Sequence, residues 1–294
     1  MDPTGKKMNI YDSIKSIYFD TKTVVYDPFC SMCISEPFES TPREYFSIAN
    51  KYYYSGGNDR FNEVIANCKR AIDCQIDSFY KYFKINIESK SNDIIYVREY
   101  IKYFEENCHK IIDSGLKLNL LNVLDVIPIK LISDIRKYRN TIEHEYKKAE
   151  KKVAEQSLEI THLFLNATDY VFNGFAVEYS FGYNEEKLFE KNTLANGIWI
   201  KYNTVLKYFN IEIYQNRKLI CKEKIFQQNR FYLPLLHISL SIDAKVDHSI
   251  AHKYLLYICG INIGENKLDY IDYNFKKYHI DFDYAHGLKI NGDI

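Results

Sequence analysis

Arg139, Asn140, His144 and Tyr146 stand in the spacing R-N-x-x-x-H-x-Y. An arginine keeps its charge at every pH a cell reaches and presents a planar fork of N–H donors that matches a phosphate. A histidine changes protonation near neutrality and can take or give a proton. A permanent cation beside a titrating group is a pair suited to handling a phosphodiester. The surroundings lean the same way. Between Lys130 and Lys152 there are eight basic residues against four acidic ones, with Lys147, Lys148, Lys151 and Lys152 directly after the motif. The plainer reading of those charges is a solvated helix face with its charges paired.

A helix is the element that must carry this motif. At 100° per residue, Ile132, Ile135, Arg139, Ile142 and Tyr146 form one stripe. Arg139 therefore occupies a place the pattern reserves for an apolar side chain. A buried guanidinium is costly without a partner, so Arg139 pairs with an acid, reaches the edge of the stripe, or lies in an interface groove. His144 sits about 140° around the same helix from Arg139. Bringing the two together needs a local distortion or a second copy of the motif from another subunit. In a purely structural reading, Arg139 and Glu143 form an i,i+4 pair and His144 faces solvent.

The elements around the motif are also helical. Thr41-Pro42-Arg43-Glu44 has the form of a capping box with proline in the first turn. The helix it opens ends near Ser55-Gly56-Gly57. Phe61, Ile65, Cys68, Ile72, Ile76, Phe79 and Phe83 recur at steps of three and four, as do Val97, Ile101, Phe104, Cys108 and Ile111. Leu120 to Ile127 is densely apolar. The last helix spans about Lys151 to Phe172, with Val153, Ile160, Phe164, Ala167 and Val171 inward and Asn173-Gly174 as its stop. Short links between such helices imply an antiparallel bundle over residues 41–175.

Beyond residue 175 the texture changes. Ile198-Trp199-Ile200-Lys201-Tyr202, Ile211-Glu212-Ile213-Tyr214 and Tyr278-His279-Ile280-Asp281-Phe282 read as strands, with one short helix near Ser249 to Ile258. Residues 176–294 are thus a β-rich accessory domain. Residues 1–40 form an arm or hairpin about Asp20–Thr23 that can join that sheet. The fold class is α+β: a helical bundle followed by a β-rich domain.

Composition bounds the function. Net charge is zero, so no global field draws the protein to nucleic acid. The 27 tyrosines reflect coding bias of an AT-rich genome as readily as base stacking. Seven irregularly spaced cysteines suit a reducing cytoplasm. Cys30-Ser31-Met32-Cys33 alone has metal spacing, and no second pair completes a site. His248 and His252 stand at i,i+4 but lack the glutamate of a zinc-protease motif. The longest apolar run, Phe231 to Ile242, is too short to cross a bilayer, and no secretory signal stands at the N-terminus. A metal, a cofactor and a membrane are not expected.

The segment from Arg139 to Tyr146 resembles the signature of the HEPN family (higher eukaryotes and prokaryotes nucleotide-binding). Residues 41–175 are similar to it in layout, with the motif ahead of the last long helix. The resemblance implies a four- or five-helix bundle that dimerises about a twofold axis so that two motifs build one site. It also implies a metal-independent endoribonuclease of a prokaryotic toxin or anti-phage system, cytoplasmic and homodimeric. In such an enzyme the RNA 2′-hydroxyl attacks the adjacent phosphorus. His144 would then serve as general base or acid, Arg139 would stabilise charge on the phosphate, and Asn140 would orient one or the other. Glu143, Tyr146, Lys147 and Lys148 would contact the substrate RNA. Tyr146 resembles the tyrosine that nucleotidyltransferase antitoxins modify, which implies an antitoxin or regulatory protein as partner. The alternative is a non-catalytic HEPN-like module that binds a nucleotide or a protein.

Overall fold

The computed structural model describes residues 8–17, 23–57, 59–87, 93–108, 115–127, 148–182, 189–190, 193–194, 196–241, 249–261 and 269–272. Helices and a sheet are both present, and the chain divides into two compact units. Cys33–Phe175 makes the helical unit. Met1–Met32 and Ala176–Ile294 together make the other, in which the sheet lies.

The described helices of the helical unit are α2 (Pro42–Tyr54), α3 (Arg60–Phe83), α4 (Asp93–Cys108), α5 (Leu116–Val123) and α6 (Lys151–Asn173); α1 (Ile10–Ser16) belongs to the other unit. The Thr41 capping box is formed in both directions. Glu44 N donates to Thr41 Oγ1 at 3.1 Å, and Thr41 N donates to the Glu44 carboxylate at 2.9 Å. Helix α3 buries Ile65, Cys68, Ile72, Ile76, Phe79 and Phe83 of the stripe that its spacing predicts, while Phe61 at its start is only partly buried. Helices α2, α3 and α6 pack on one another. At one end Ala49, Val64, Cys68 and Ala154 meet, small enough to let the helices approach closely. At the other, the Phe83 ring packs tilted against Phe79 and Phe175, with ring centroids 4.8 and 5.2 Å away.

Helix α6 differs from expectation. Ala167 is exposed, while Val153 and Ile160 are only half-buried. Phe164 and Val171 are buried as expected, and Ala154, Ser157, Thr161, Leu165 and Thr168 complete the inward face. Its hydroxyls are hidden because they bond backward along their own helix: Ser157 to Val153 O at 2.8 Å, Thr161 to Ser157 O at 2.7 Å, Thr168 to Phe164 O at 2.9 Å. A count of apolar residues cannot see a face built this way. Gln75 of α3 donates to Thr168 Oγ1 at 3.0 Å across the buried seam.

In the other unit the six-stranded sheet has the order β7-β6-β5-β2-β1-β8. Its strands are β1 (Thr23–Met32), β2 (Phe175–Gly182), β5 (Gly197–Asn203), β6 (Tyr208–Gln215), β7 (Lys218–Ile225) and β8 (Asp269–Asp272). The short pair β3 (Phe189–Glu190) and β4 (Thr193–Leu194) is separate. Strands β2, β5, β6 and β7 pair antiparallel in turn, and β1 pairs parallel with β8. The β6–β7 turn places both Asn216 and Arg217 at positive φ, 49° and 64°, as a two-residue turn of primed type requires.

The turn expected about residues 20–23 lies outside the described residues apart from Thr23. Val24–Tyr26 joins the sheet by pairing with β8, and Ile10–Ser16 forms helix α1, capped by Asn9 accepting from Asp12 N at 2.9 Å. Phe231–Ile242, apolar apart from His237, Ser239 and Ser241, supplies helix α7 (Tyr232–Ser241), every residue of which is buried. Helix α8 (Ser249–Ile258) packs on α7, and α7 packs on β6. Tyr179 of β2 donates to Leu235 O at 3.2 Å, and Ser239 Oγ lies 3.3 Å from the Tyr179 hydroxyl. Burial pushes the Tyr179 phenol well above its ordinary pKa, so it stays a donor at every working pH.

Two stability changes follow. Phe83→Ala opens a cavity among three rings and should cost about 3–5 kcal/mol in urea unfolding of the full chain. Thr41→Ala removes half of a capping box at an exposed helix start and should cost about 1 kcal/mol. Equal midpoints for the two variants would contradict this ranking.

Candidate functional site

Arg139, Asn140, Glu143, His144, Tyr146 and Lys147 lie outside the described residues, and so does the stripe Ile132, Ile135 and Ile142. The residues on either side of the motif are described, and both sides are fastened to α3. Before it, Lys117 at the start of α5 pairs with Asp77, and Tyr80 donates to Lys117 O at 2.5 Å. Leu120, Leu121, Val123, Leu124, Val126 and Ile127 are then buried. After it, Lys148 pairs with Asp59 at 3.7 Å, and Ala149 N donates to Asn62 Oδ1 at 2.8 Å.

Lys148, predicted to touch substrate, is exposed. Lys151 and Lys152 open α6 and are exposed as well. Lys148 and Lys151 have acidic partners, Asp59 at 3.7 Å and Glu155 at 3.5 Å, both loose enough to exchange for a phosphate. Tyr53 also donates to Glu155 and thereby links α2 to α6. That hydrogen bond pushes the Tyr53 phenol up to about 12 and lowers the Glu155 carboxyl.

The histidines and cysteines outside the motif build no further metal or catalytic cluster among the described residues. His162 is exposed, bonded to Asn166 at 3.0 Å and stacked on Phe46 at 5.7 Å. His252 is fully buried with its ring edge-on to Phe181 at 4.8 Å; His248 and His109 lie outside the described residues. Cys30 and Cys33 are both exposed thiols. Among the described residues no three His, Cys, Asp or Glu side chains stand close enough to hold a metal ion.

Two sites were not read from the sequence. In the helical unit a cleft of about 670 Å³ is lined by Phe38, Tyr45 and one face of α3: Arg70, Asp73, Asp77 and Lys81 among others. The two carboxylates are answered from outside by Lys69 and Lys117. Arg70 donates to the Asn67 side-chain oxygen at 3.2 Å, and the Lys81 ammonium lies 4.1 Å over the Phe38 ring. Two cations thus stand roughly 16 Å apart along the helix, by 1.5 Å per residue. Cys74, in the same lining, has its thiol pushed up chiefly by burial and is a poor nucleophile.

The second site is on the sheet. Alternation along β2, β5 and β6 sends Tyr179, Phe181, Ile198, Ile200, Tyr202, Phe209, Ile211 and Ile213 inward, where all are buried. The opposite face carries Glu178, Trp199, Lys201, Asn210, Glu212 and Lys222, in register across the strands. A groove of about 210 Å³ is lined by the last five of these. Lys201 pairs with Glu178 at 2.8 Å and Lys222 with Glu212 at 2.5 Å. The lysine side chains are 61% and 57% exposed, their carboxylate partners 20% and 18%. Burial pushes the Glu212 carboxyl up, but hydrogen bonds from Lys222 and Tyr214 outweigh it and hold the pKa below the ordinary value. Trp199 Nε1 is buried without an acceptor among the described residues, which costs about 1–3 kcal/mol.

The chain matches no protein-family model, and neither the curated proteins nor the solved structures contain a match to it.

Proposed function

We propose that this chain is a metal-independent endoribonuclease of the HEPN type, from a prokaryotic toxin or anti-phage system, that works as a homodimer. The observation that carries the reading is the spacing of Arg139, Asn140, His144 and Tyr146 within a helical region. Three features of the helical unit support it. Helices α2, α3 and α6 pack as a bundle, the segment holding the motif lies in sequence between α5 and α6, and exposed lysines follow it at 148, 151 and 152. Those lysines supply attraction to an RNA backbone without reading its sequence.

The chemistry assigned to the motif is in-line attack of a 2′-oxygen on the adjacent phosphorus. The P–O5′ bond breaks, and a 2′,3′-cyclic phosphate and a 5′-hydroxyl form. His144 takes the proton from the 2′-hydroxyl or delivers one to the departing 5′-oxygen. Arg139 binds the non-bridging oxygens as charge builds on them. Asn140 orients the phosphate or the imidazole, and Glu143, Tyr146, Lys147 and Lys148 line the path of the strand. An unrestrained nuclease harms its host, so an antitoxin or regulatory protein belongs to the reading. A nucleotide attached to Tyr146 would set a bulky anion beside Arg139 and block RNA by occupancy and repulsion.

A second reading is favoured by the cleft along α3. With aromatic walls and charged side chains of both signs, it suits a non-catalytic HEPN-like module that binds a nucleotide or a protein.

His144→Ala should abolish cleavage of single-stranded RNA by the purified chain, and Arg139→Ala should reduce it at least about a hundredfold. EDTA should leave the wild-type rate unchanged. Cleavage that survives in His144→Ala, or that stops with chelator, contradicts the mechanism. Light scattering at micromolar concentration should give the mass of a dimer. A monomer that still cleaves RNA would exclude the composite site.

A further inference from the structure

From the outer face of the sheet we infer a second nucleic-acid site, independent of the nuclease motif: a platform that stacks one base of a single strand on Trp199 and holds the flanking phosphates on Lys201 and Lys222. It stands or falls separately from the proposed cleavage, because every residue in it belongs to the sheet-bearing unit.

The pleat and the register bring the parts together. Trp199 and Lys201 are two residues apart on β5, hence on one face and roughly 7 Å apart. Trp199 is paired with Glu212 of β6, and Glu212 is paired with Lys222 of β7. At about 4.8 Å per strand, Lys222 stands roughly 10 Å from Trp199 on its other side. The indole is therefore flanked by two ammonium groups in two directions. Their carboxylate partners lie beneath them, largely covered, so an approaching ligand meets cations first. Lys224, exposed on the same strand as Lys222, lies 5.0 Å over the Tyr208 ring and adds a third positive charge.

A flat aromatic between exposed cations is the recognition chemistry of a single strand: bases stack, phosphates pair. The groove is the size of one ring system rather than of a whole nucleotide. A duplex keeps its bases stacked on each other and offers none to the indole. An acidic peptide would use the lysines and leave the tryptophan idle.

Trp199 is the only tryptophan of the chain, so its fluorescence reports this groove alone. The full chain is titrated with 2′-O-methylated oligouridylate, which cannot be cleaved by its own 2′-oxygen. Parallel titrations use oligothymidylate, a duplex of the same length, and polyglutamate. Both single strands should quench the emission, and the duplex and polyglutamate should leave it nearly unchanged. Affinity for a labelled strand, followed by anisotropy, should fall about tenfold in Trp199→Ala and recover in part in Trp199→Phe. In Lys201→Ala/Lys222→Ala the salt dependence of log affinity should flatten by about 1.4, from roughly 0.7 per phosphate released. Circular dichroism and unfolding midpoints establish that each variant is folded. Absence of quenching by either strand at low salt overturns the proposal. So does wild-type affinity in folded Trp199→Ala, or equal quenching by polyglutamate.

Discussion

Helix α3 carries its buried stripe along nearly its whole length, and the order of the helical unit depends on that. The small side chains near its start admit α2 and α6 at close range. Gln75 fixes α6 at mid-length through Thr168, and Phe79 and Phe83 close the far end. Its outer flanks hold the connections: Asp77 and Tyr80 take α5, and Asp59 and Asn62 take the residues that lead into α6. A helix that is apolar on one side and ringed with short polar anchors on the other sets where the chain leaves and where it returns around residues 128–147. A catalytic pair needs its supporting backbone held to a fraction of an ångström. A mast fastened at both ends of the segment is a physical means to that end.

The sheet follows a different rule. One face is covered by α7, which has no solvent side because every one of its residues is buried. The other remains polar, and its carboxylates are placed low while its lysines stand high. Such pairs add little stability, because the charges stay near water. Their arrangement instead shapes the potential above the sheet. A chain of zero net charge can attract a polyanion only through local arrangement of this kind.

Much of the helical unit was legible because its signals were local. Thr41 and Glu44 announce a capping box by spacing alone, and the α3 stripe repeats at helical period from Phe61 to Phe83. The buried face of α6 was illegible because hydroxyls that bond their own helix behave as core. Helix α7 has no periodicity to detect, and α1 is too short to show one. The proposed nuclease site rests on the sequence, since Arg139, Asn140, His144 and Tyr146 lie outside the described residues. For the Trp199 face the alternation was there to read in Ile198-Trp199-Ile200-Lys201. The stacking of lysine over carboxylate was not, because it depends on the register of four strands.

In the proposed reaction the attacking group is the substrate's own 2′-oxygen. The most direct test is the chemistry of the ends it leaves. Purified wild-type protein is incubated with a defined single-stranded RNA, and the fragments are weighed by mass spectrometry. Each upstream fragment should carry a 2′,3′-cyclic phosphate, or the monophosphate from its hydrolysis, and each downstream one a 5′-hydroxyl. Fragments bearing a 5′-phosphate and a free 3′-hydroxyl would mean that water, not the 2′-oxygen, attacks, and would contradict the proposed reaction.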